Sequence, residues 1–181
     1  MELFKHKFTR LQSEIFSLLC MKAGSELNKS EIASILKVSP TAVAKALSLL
    51  EKDELVTIRK EKNIKLSRVS LNRDNKKAIE LKRAENLKNI YSSGLTDYLE
   101  KELAGGTAIL FGSYSRGEDT DKSDIDIAVV GRKDKMLKLE GYENKLSRKI
   151  NINFYSSWKD IHKYLKNNIL NGILIQGGVE L

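Results

Sequence analysis

Residues 111–130 read FGSYSRGEDTDKSDIDIAVV, and this segment decides the fold expected for the second half of the chain. The apolar run at residues 107–111 predicts a buried strand, which Gly112 ends abruptly. A second apolar run, at residues 125–130, predicts another strand. The segment therefore predicts two strands of one sheet joined by a polar connection.

Two carboxylates and a Gly-Ser pair mark the two ends of this connection. Side chains alternate along a strand, so Asp124 and Asp126 are expected on the same face, where they repel each other. A divalent cation between them would relieve that repulsion, and hard oxygen ligands suit Mg²⁺. Gly112 lets the backbone approach an anion, and Ser113 adds a hydroxyl donor. The pattern predicts a triphosphate at one end and a metal ion at the other.

This pattern resembles the active-site signature of the nucleotidyltransferase superfamily related to DNA polymerase beta, and its minimal branch most of all. That signature is Gly-Ser, ten residues, then Asp-any-Asp, and Gly112, Ser113, Asp124 and Asp126 fit it without a gap. The resemblance implies that the Gly-Ser pair binds the β and γ phosphates of a nucleotide, while the two aspartates hold Mg²⁺ and are catalytic. The alternative is a polar loop whose aspartates only cap it.

The later strand departs from the family pattern. The family usually carries a third carboxylate there, and in residues 147–154 Asn151 takes its place. An amide oxygen can ligate a cation, but it carries no charge and cannot act as a general base. This position puts full two-metal chemistry in doubt.

Arg116 lies between the two halves of the signature. Its planar guanidinium would suit a grip on phosphate oxygens, so it is a candidate nucleotide-binding residue. The alternative is a solvated arginine that pairs with Glu118 or Asp119.

The positive charge of the chain is concentrated in its first half. The chain has 181 residues and a formal net charge of +8. Residues 1–93 contain 19 Lys and Arg against 11 Asp and Glu, whereas residues 94–181 contain 13 of each. A basic half joined to a neutral half indicates a polyanionic partner for the first, with solubility alone as the alternative.

The first half has the order helix, helix, helix, hairpin. Residues 8–19 show apolar side chains at helical spacing, and a short second helix follows. A third helix begins at Pro40 after the cap Ser39 and ends near residue 52. Strand-like runs follow at 55–60 and 64–69. This order resembles a winged helix-turn-helix, with Glu54 where that family usually has glycine.

The winged-helix resemblance implies contact with double-stranded DNA. The outward face of the third helix would enter the major groove, and the hairpin would contact phosphates. The predicted DNA-binding residues are Thr41, Ala44, Lys45 and Ser48 on the helix, and Arg59, Lys60 and Lys62 on the hairpin. The alternative use of such a module is dimerisation or protein docking.

The sequence as a whole predicts an α+β protein. A winged helix-turn-helix at residues 1–72 would be joined by an exposed connecting helix at 73–93 to a small α/β nucleotidyltransferase domain with a mixed sheet at 94–181. No run of eighteen apolar residues or signal peptide is evident, so we expect a cytoplasmic protein with no membrane association. The winged-helix resemblance implies a homodimer, because such regulators often pair.

Two functions remain open at this stage. The first is transfer of a nucleoside monophosphate from Mg²⁺–nucleoside triphosphate, with ATP expected, to a hydroxyl acceptor. The acceptor could be a partner protein, as in antitoxin members of the superfamily, a small molecule or a nucleic-acid end. The second is a DNA-binding regulator whose impaired transferase domain senses nucleotide or mediates dimerisation.

Overall fold

The computed structural model describes residues 8–60 and 67–180. The chain divides into two compact units, Met1–Ile79 and Glu80–Leu181. The division falls inside the segment predicted as a connection, residues 73–93. Both units combine helices with a small sheet, as predicted for an α+β protein.

The first unit is a winged helix-turn-helix. Its elements are α1 (Arg10–Met21), β1 (Leu27–Asn28), α2 (Lys29–Leu36), α3 (Pro40–Lys52), β2 (Val56–Lys60) and β3 (Ser67–Leu71). The antiparallel sheet has the order β1-β3-β2. The predicted order of helices and hairpin is confirmed, whereas the two-residue strand β1 was not predicted.

Side-chain caps explain where these helices begin. Asn28 Oδ1 accepts from the backbone N–H groups of Ser30 and Glu31. In return, the backbone N–H of Asn28 donates to Oε2 of Glu31. Ser39 accepts from the backbone of Ala42 and is followed by Pro40 at the first helical position. Apolar side chains from all three helices and both hairpin strands form the core of this unit, among them Ile15, Ile32, Leu47, Leu50, Val56 and Val69.

The second unit is built on a four-stranded mixed sheet. Its elements are α4 (Lys76–Ser93, which begins in the first unit), α5 (Leu95–Glu102), β4 (Thr107–Phe111), α6 (Gly112–Arg116), β5 (Ile125–Val130), α7 (Glu140–Leu146), β6 (Ile150–Tyr155), a 3₁₀ turn (Trp158–Asp160), α8 (Lys163–Leu170) and β7 (Ile173–Gln176). The strand order is β6-β5-β4-β7. Strands β5 and β6 are parallel, and the other two pairs are antiparallel.

Two helices differ from the sequence-based expectation. The connecting helix was expected to be largely exposed, yet Lys82, Asn86 and Ile90 of α4 are buried in the second unit. The sequence also predicts a helix over residues 136–146, but α7 begins only at Glu140, and Met136 is 97% exposed. The apolar side chain of Met136 has no packing surface that would extend the helix to it.

Within residues 8–60 and 67–180, no single helix has the length and apolar composition to cross a membrane. Helices α2 and α3 have that length and composition only when taken together, and they are bent by 110° relative to each other.

Candidate functional site

Gly112 and Asp126 meet where β4 ends. In the antiparallel pairing of β4 with β5, Phe111 lies opposite Asp126, so the chain turns into α6 beside this carboxylate. Gly112 has a φ of +75°, in the left-handed region that glycine adopts without strain. A Cβ at this position would lie 2.7 Å from Oδ2 of Asp126. The glycine therefore allows a close approach of the backbone to the carboxylate.

Asp124 and Asp126 share one face of the sheet with Asn151. The parallel pairing of β5 with β6 places Asp126 opposite Asn151. The amide Nδ2 of Asn151 donates to Oδ2 of Asp124 over 3.1 Å and lies 3.4 Å from Oδ1 of Asp126. Ile125 and Ile127 are fully buried on the opposite face. The strand alternation expected from the sequence thus brings both carboxylates together.

The donors at this point fit a magnesium ion. Asp124 is exposed and Asp126 half-buried, so both carboxylates reach solvent and offer the hard oxygen atoms that Mg²⁺ prefers. Rotation of the Asn151 amide would present its oxygen instead of its nitrogen. Across the described residues, no three His, Cys, Asp or Glu side chains converge as a metal cluster. The donor set is therefore two carboxylates and one amide, with one negative charge fewer than three carboxylates would supply.

Ser113 and Arg116 lie on the short helix α6 that begins at Gly112. Ser113 is half-buried beside the glycine. Arg116 is exposed; its Nε donates to Glu118 Oε2 over 2.7 Å, and its Nη1 donates to Asn168 Oδ1 over 3.2 Å. The pairing with Glu118 is one of the two that the sequence suggested as the alternative to phosphate binding, so that role stays a prediction.

An open groove of about 500 Å³ lies on the β6 side of Asp124. The residues that line the groove are all polar or charged, and they belong to the segments 121–124, 140–144 and 147–149. A larger cavity, of about 650 Å³, lies at the opposite end of the strands, near Thr107 and Val130. None of the predicted site residues lines that cavity, so we associate the chemistry with the smaller groove.

Glu143 forms part of the groove wall. Its Oε1 accepts from the backbone of Ile150 over 3.1 Å, and its Oε2 accepts from Lys149 Nζ over 3.0 Å. These two bonds to the carboxylate hold the pKa of Glu143 below its ordinary value. Both carboxylate oxygens of Glu143 thus already accept hydrogen bonds at the junction of α7 and β6.

A buried polar cluster behind the site was missed by sequence reasoning. Lys82 and Asn86 on α4 converge with Asp119 and Arg148, and all four side chains are at least nine-tenths buried. Asp119 lies inside the signature segment, but its sequence position gave no sign that it is buried. Because α4 contains several lysines, the sequence did not distinguish the buried Lys82 from its solvated neighbours.

The first unit presents most of the predicted DNA-binding residues on its surface. Thr41, Lys45 and Ser48 are exposed on α3, and Ala44 is half-buried between them. At the end of β2, Arg59 and Lys60 are exposed. Nη1 of Arg59 lies 3.8 Å from a carboxylate oxygen of Glu26, a loose ion pair. Lys62 lies outside the described residues.

Comparison with solved structures finds bacterial proteins of partial similarity. Lactococcus lactis ZitR shares 24% identity at a TM-score of 0.43, over 58% of this chain and 68% of ZitR. The adhesin competence repressor AdcR of Streptococcus pyogenes shares 20% identity at a TM-score of 0.42, over 54% and 69%. MepR of S. aureus, in a complex with DNA, shares 18% identity at a TM-score of 0.41, over 54% and 71%. No curated protein matches the chain.

A family model matches the second part of the chain. The matched residues, 93–177, include the Gly-Ser turn, both aspartates, Asn151 and the whole mixed sheet. This part of the chain is thus a domain that matches the family described as polymerase beta, nucleotidyltransferase.

Proposed function

We propose that the protein is a nucleotidyltransferase that moves a nucleoside monophosphate from a Mg²⁺-bound nucleoside triphosphate, ATP in the first instance, to a hydroxyl acceptor. The observation that carries this proposal is the approach of Gly112 to Asp126. The start of α6 lies against the carboxylate of Asp126, which supports phosphate and metal binding in one place.

Each residue of the site has a distinct role in this proposal. Gly112 admits the phosphate chain close to the backbone, and the Ser113 hydroxyl donates to a phosphate oxygen. Asp124 and Asp126 would hold Mg²⁺, with Asn151 beside them. Bound Mg²⁺ would neutralise charge on the phosphates and orient the attacking hydroxyl. The α-phosphorus–oxygen bond to pyrophosphate would break as the acceptor oxygen bonds to phosphorus and passes its proton to a water molecule.

Label transfer tests this proposal. The full-length protein is incubated with Mg²⁺ and ATP labelled at the α-phosphate, together with candidate protein, small-molecule and nucleic-acid acceptors. We expect labelled product with the wild type and a loss of about a hundredfold with Asp124→Ala, which removes a metal ligand, or Asp126→Asn, which removes the negative charge of one. Asp134→Asn, an exposed carboxylate beyond the far end of β5, is the control. Equal label incorporation by wild type and both aspartate variants would reject the proposal.

A second candidate function is a regulator that binds nucleotide without transferring it. The contacts of the Asn151 amide with both carboxylates favour it, because the amide supplies a donor where a third negative charge would hold metal. Asn151→Asp separates the two candidates in the same assay. A wild type that binds ATP without transfer, together with a variant that gains transfer, would support the regulator.

For the first unit, we propose binding to double-stranded DNA. The exposed face of α3 and the exposed cations at the end of β2 support it, as does the excess of positive charge in this unit. Sequence discrimination would be weak, because Thr41, Lys45 and Ser48 offer few contacts to base edges.

A further inference from the structure

Lys82 is a charged side chain with no exposed surface. It lies on α4, and its ammonium forms an ion pair with Asp119, whose side chain is also fully buried. The same ammonium lies 5.9 Å from the ring centroid of Tyr114 on α6. Burial of two opposite charges is costly, and an apolar pair of similar size would stabilise the fold at least as well. The pair therefore calls for an explanation other than stability.

Asp119 contacts the other three members of this cluster. Besides Lys82, its Oδ1 accepts from Nδ2 of Asn86 over 2.7 Å. Its Oδ2 lies 3.6 Å from Nη2 of Arg148, which completes a buried arrangement of one carboxylate between two cations. The cluster thus joins α4 to two separate segments of the second unit.

The segments that carry Ser113 and Asp124 are both attached to this cluster. Asn86 also donates to the backbone oxygen of Tyr114 over 2.9 Å, directly after Ser113 in α6. Asp119 begins the segment that ends at Asp124.

Two further features complete the attachment. The segment from Asp119 to Asp124 is closed by a turn in which Ser123 Oγ accepts from the backbone of Thr120 over 2.9 Å. On the other side, Arg148 precedes Asn151 by three residues. Displacement of Asp119 would therefore move phosphate-binding and metal-binding groups together.

We propose that Lys82, Asn86 and Asp119 are positioning residues that hold the Gly-Ser turn and the aspartate pair in one geometry. This inference rests on the proposed nucleotidyltransferase function. The three residues touch neither substrate nor metal; they act through the backbone of α6 and of residues 119–124. Asn86 is the most informative of them, because its amide contacts both segments and its loss leaves the Lys82–Asp119 pair in place.

Metal binding by full-length variants tests the proposal. Mn²⁺, a spectroscopic substitute for Mg²⁺, is titrated into wild type, Asn86→Ala and Asn86→Leu well below their melting temperatures, and free Mn²⁺ is followed by electron paramagnetic resonance. We expect both Asn86 variants to bind Mn²⁺ about tenfold more weakly. Hydrogen exchange at residues 113–124 should accelerate in parallel, whereas exchange in β5 stays unchanged. Asn86→Leu keeps the branched shape of the side chain at a somewhat larger volume and leaves no cavity, so it separates the lost hydrogen bonds from a lost packing contact.

Asn89→Ala is the matched control, because Asn89 lies one turn further along the same helix and outside the cluster. We expect its Mn²⁺ affinity to equal that of the wild type. Lower melting temperatures in the Asn86 variants with Mn²⁺ affinity within twofold of the wild type would overturn the positioning role and leave the proposed function intact. Absence of Mn²⁺ binding by the wild type itself would overturn the proposed function and this inference with it.

Discussion

Gly112 satisfies two separate requirements of the site. Its φ of +75° disfavours any side chain, and its missing Cβ leaves room for Asp126. Replacing a glycine usually strains the backbone and fills the space of the missing Cβ at the same time, so the two effects are hard to separate by mutation. This chain offers a comparison, because Gly105 has a φ of +80° and a Cβ there would meet no atom within 4 Å.

We predict that Gly112→Ala and Gly105→Ala lower the free energy of unfolding by similar amounts, about 1–2 kcal/mol, because both force alanine into the left-handed region. Only Gly112→Ala should also weaken Mn²⁺ and ATP binding, since its methyl group displaces Asp126. Urea unfolding and calorimetric titration measure the two effects. Equal ligand affinity in the two variants would show that the contact with Asp126 is unimportant.

The contacts of Asn151 illustrate what sequence can and cannot reveal about a site. The family resemblance implied that this residue takes the place of the third carboxylate, and in the structure the parallel register of β5 and β6 sets it opposite Asp126. The direction of its amide, with nitrogen toward both carboxylates, depends on three-dimensional contacts. The contact between Lys82 and Asp119 could not be predicted for the same reason, because two residues 37 positions apart in sequence form no local pattern.

The junction between α7 and β6 depends on one carboxylate. Glu143 accepts from the backbone of Ile150 at the first residue of β6 and from Lys149, and these bonds lower its pKa. A group whose pKa is lowered by folding stabilises the fold above its ordinary pKa, about 4.3 for glutamate. That stabilisation is lost as the pH falls through the lowered value.

We predict that Glu143→Gln lowers the free energy of unfolding at pH 7, and that its difference from the wild type shrinks below about pH 4, where the wild-type carboxylate becomes protonated. Urea unfolding at several pH values measures this, with Glu140→Gln, on the exposed first turn of α7, as control. A difference that stays constant from pH 7 to pH 3 would mean that the charge of Glu143 is not involved.

Strands β4 and β5 and helix α3 match their predicted bounds, whereas β3 ends at Leu71 and not at residue 69. The bounds of β4 and β5 equal the predicted apolar runs, because each strand is buried on both sides and flanked by a glycine or a polar turn. Strand β1 has only two residues, too few for a periodic pattern, and it forms by pairing Leu27 with Val69 across the sheet. Helix α4 showed no apolar face in its sequence, although it contributes Ile90 to the core.

The two units differ sharply in charge. Residues 1–79 hold 16 Lys and Arg against 9 Asp and Glu, a net charge of +7, while residues 80–181 hold 16 against 15. Since the field of a protein follows its summed charge, polyanion binding is expected from the first unit.

We predict that the protein binds duplex DNA with an affinity that falls steeply with salt, and that Lys45→Ala combined with Arg59→Ala weakens binding. Each lost phosphate contact should reduce the slope of log affinity against log salt by about 1. Fluorescence anisotropy at several salt concentrations measures both quantities. Lys101→Ala, an exposed change on α5 of the second unit, should leave them unaltered. If the slope of log affinity against log salt is unchanged in the double variant, these two cations do not contact the DNA phosphates.

The burial of Lys82 and Asn86 has a practical consequence for dissecting the protein. A fragment cut at Gly94, where the glycine after α4 suggests a natural starting point, would discard both side chains and leave Arg148 as the cation beside the Asp119 carboxylate. We therefore expect that a stable fragment of the second unit must retain the helix upstream of that glycine.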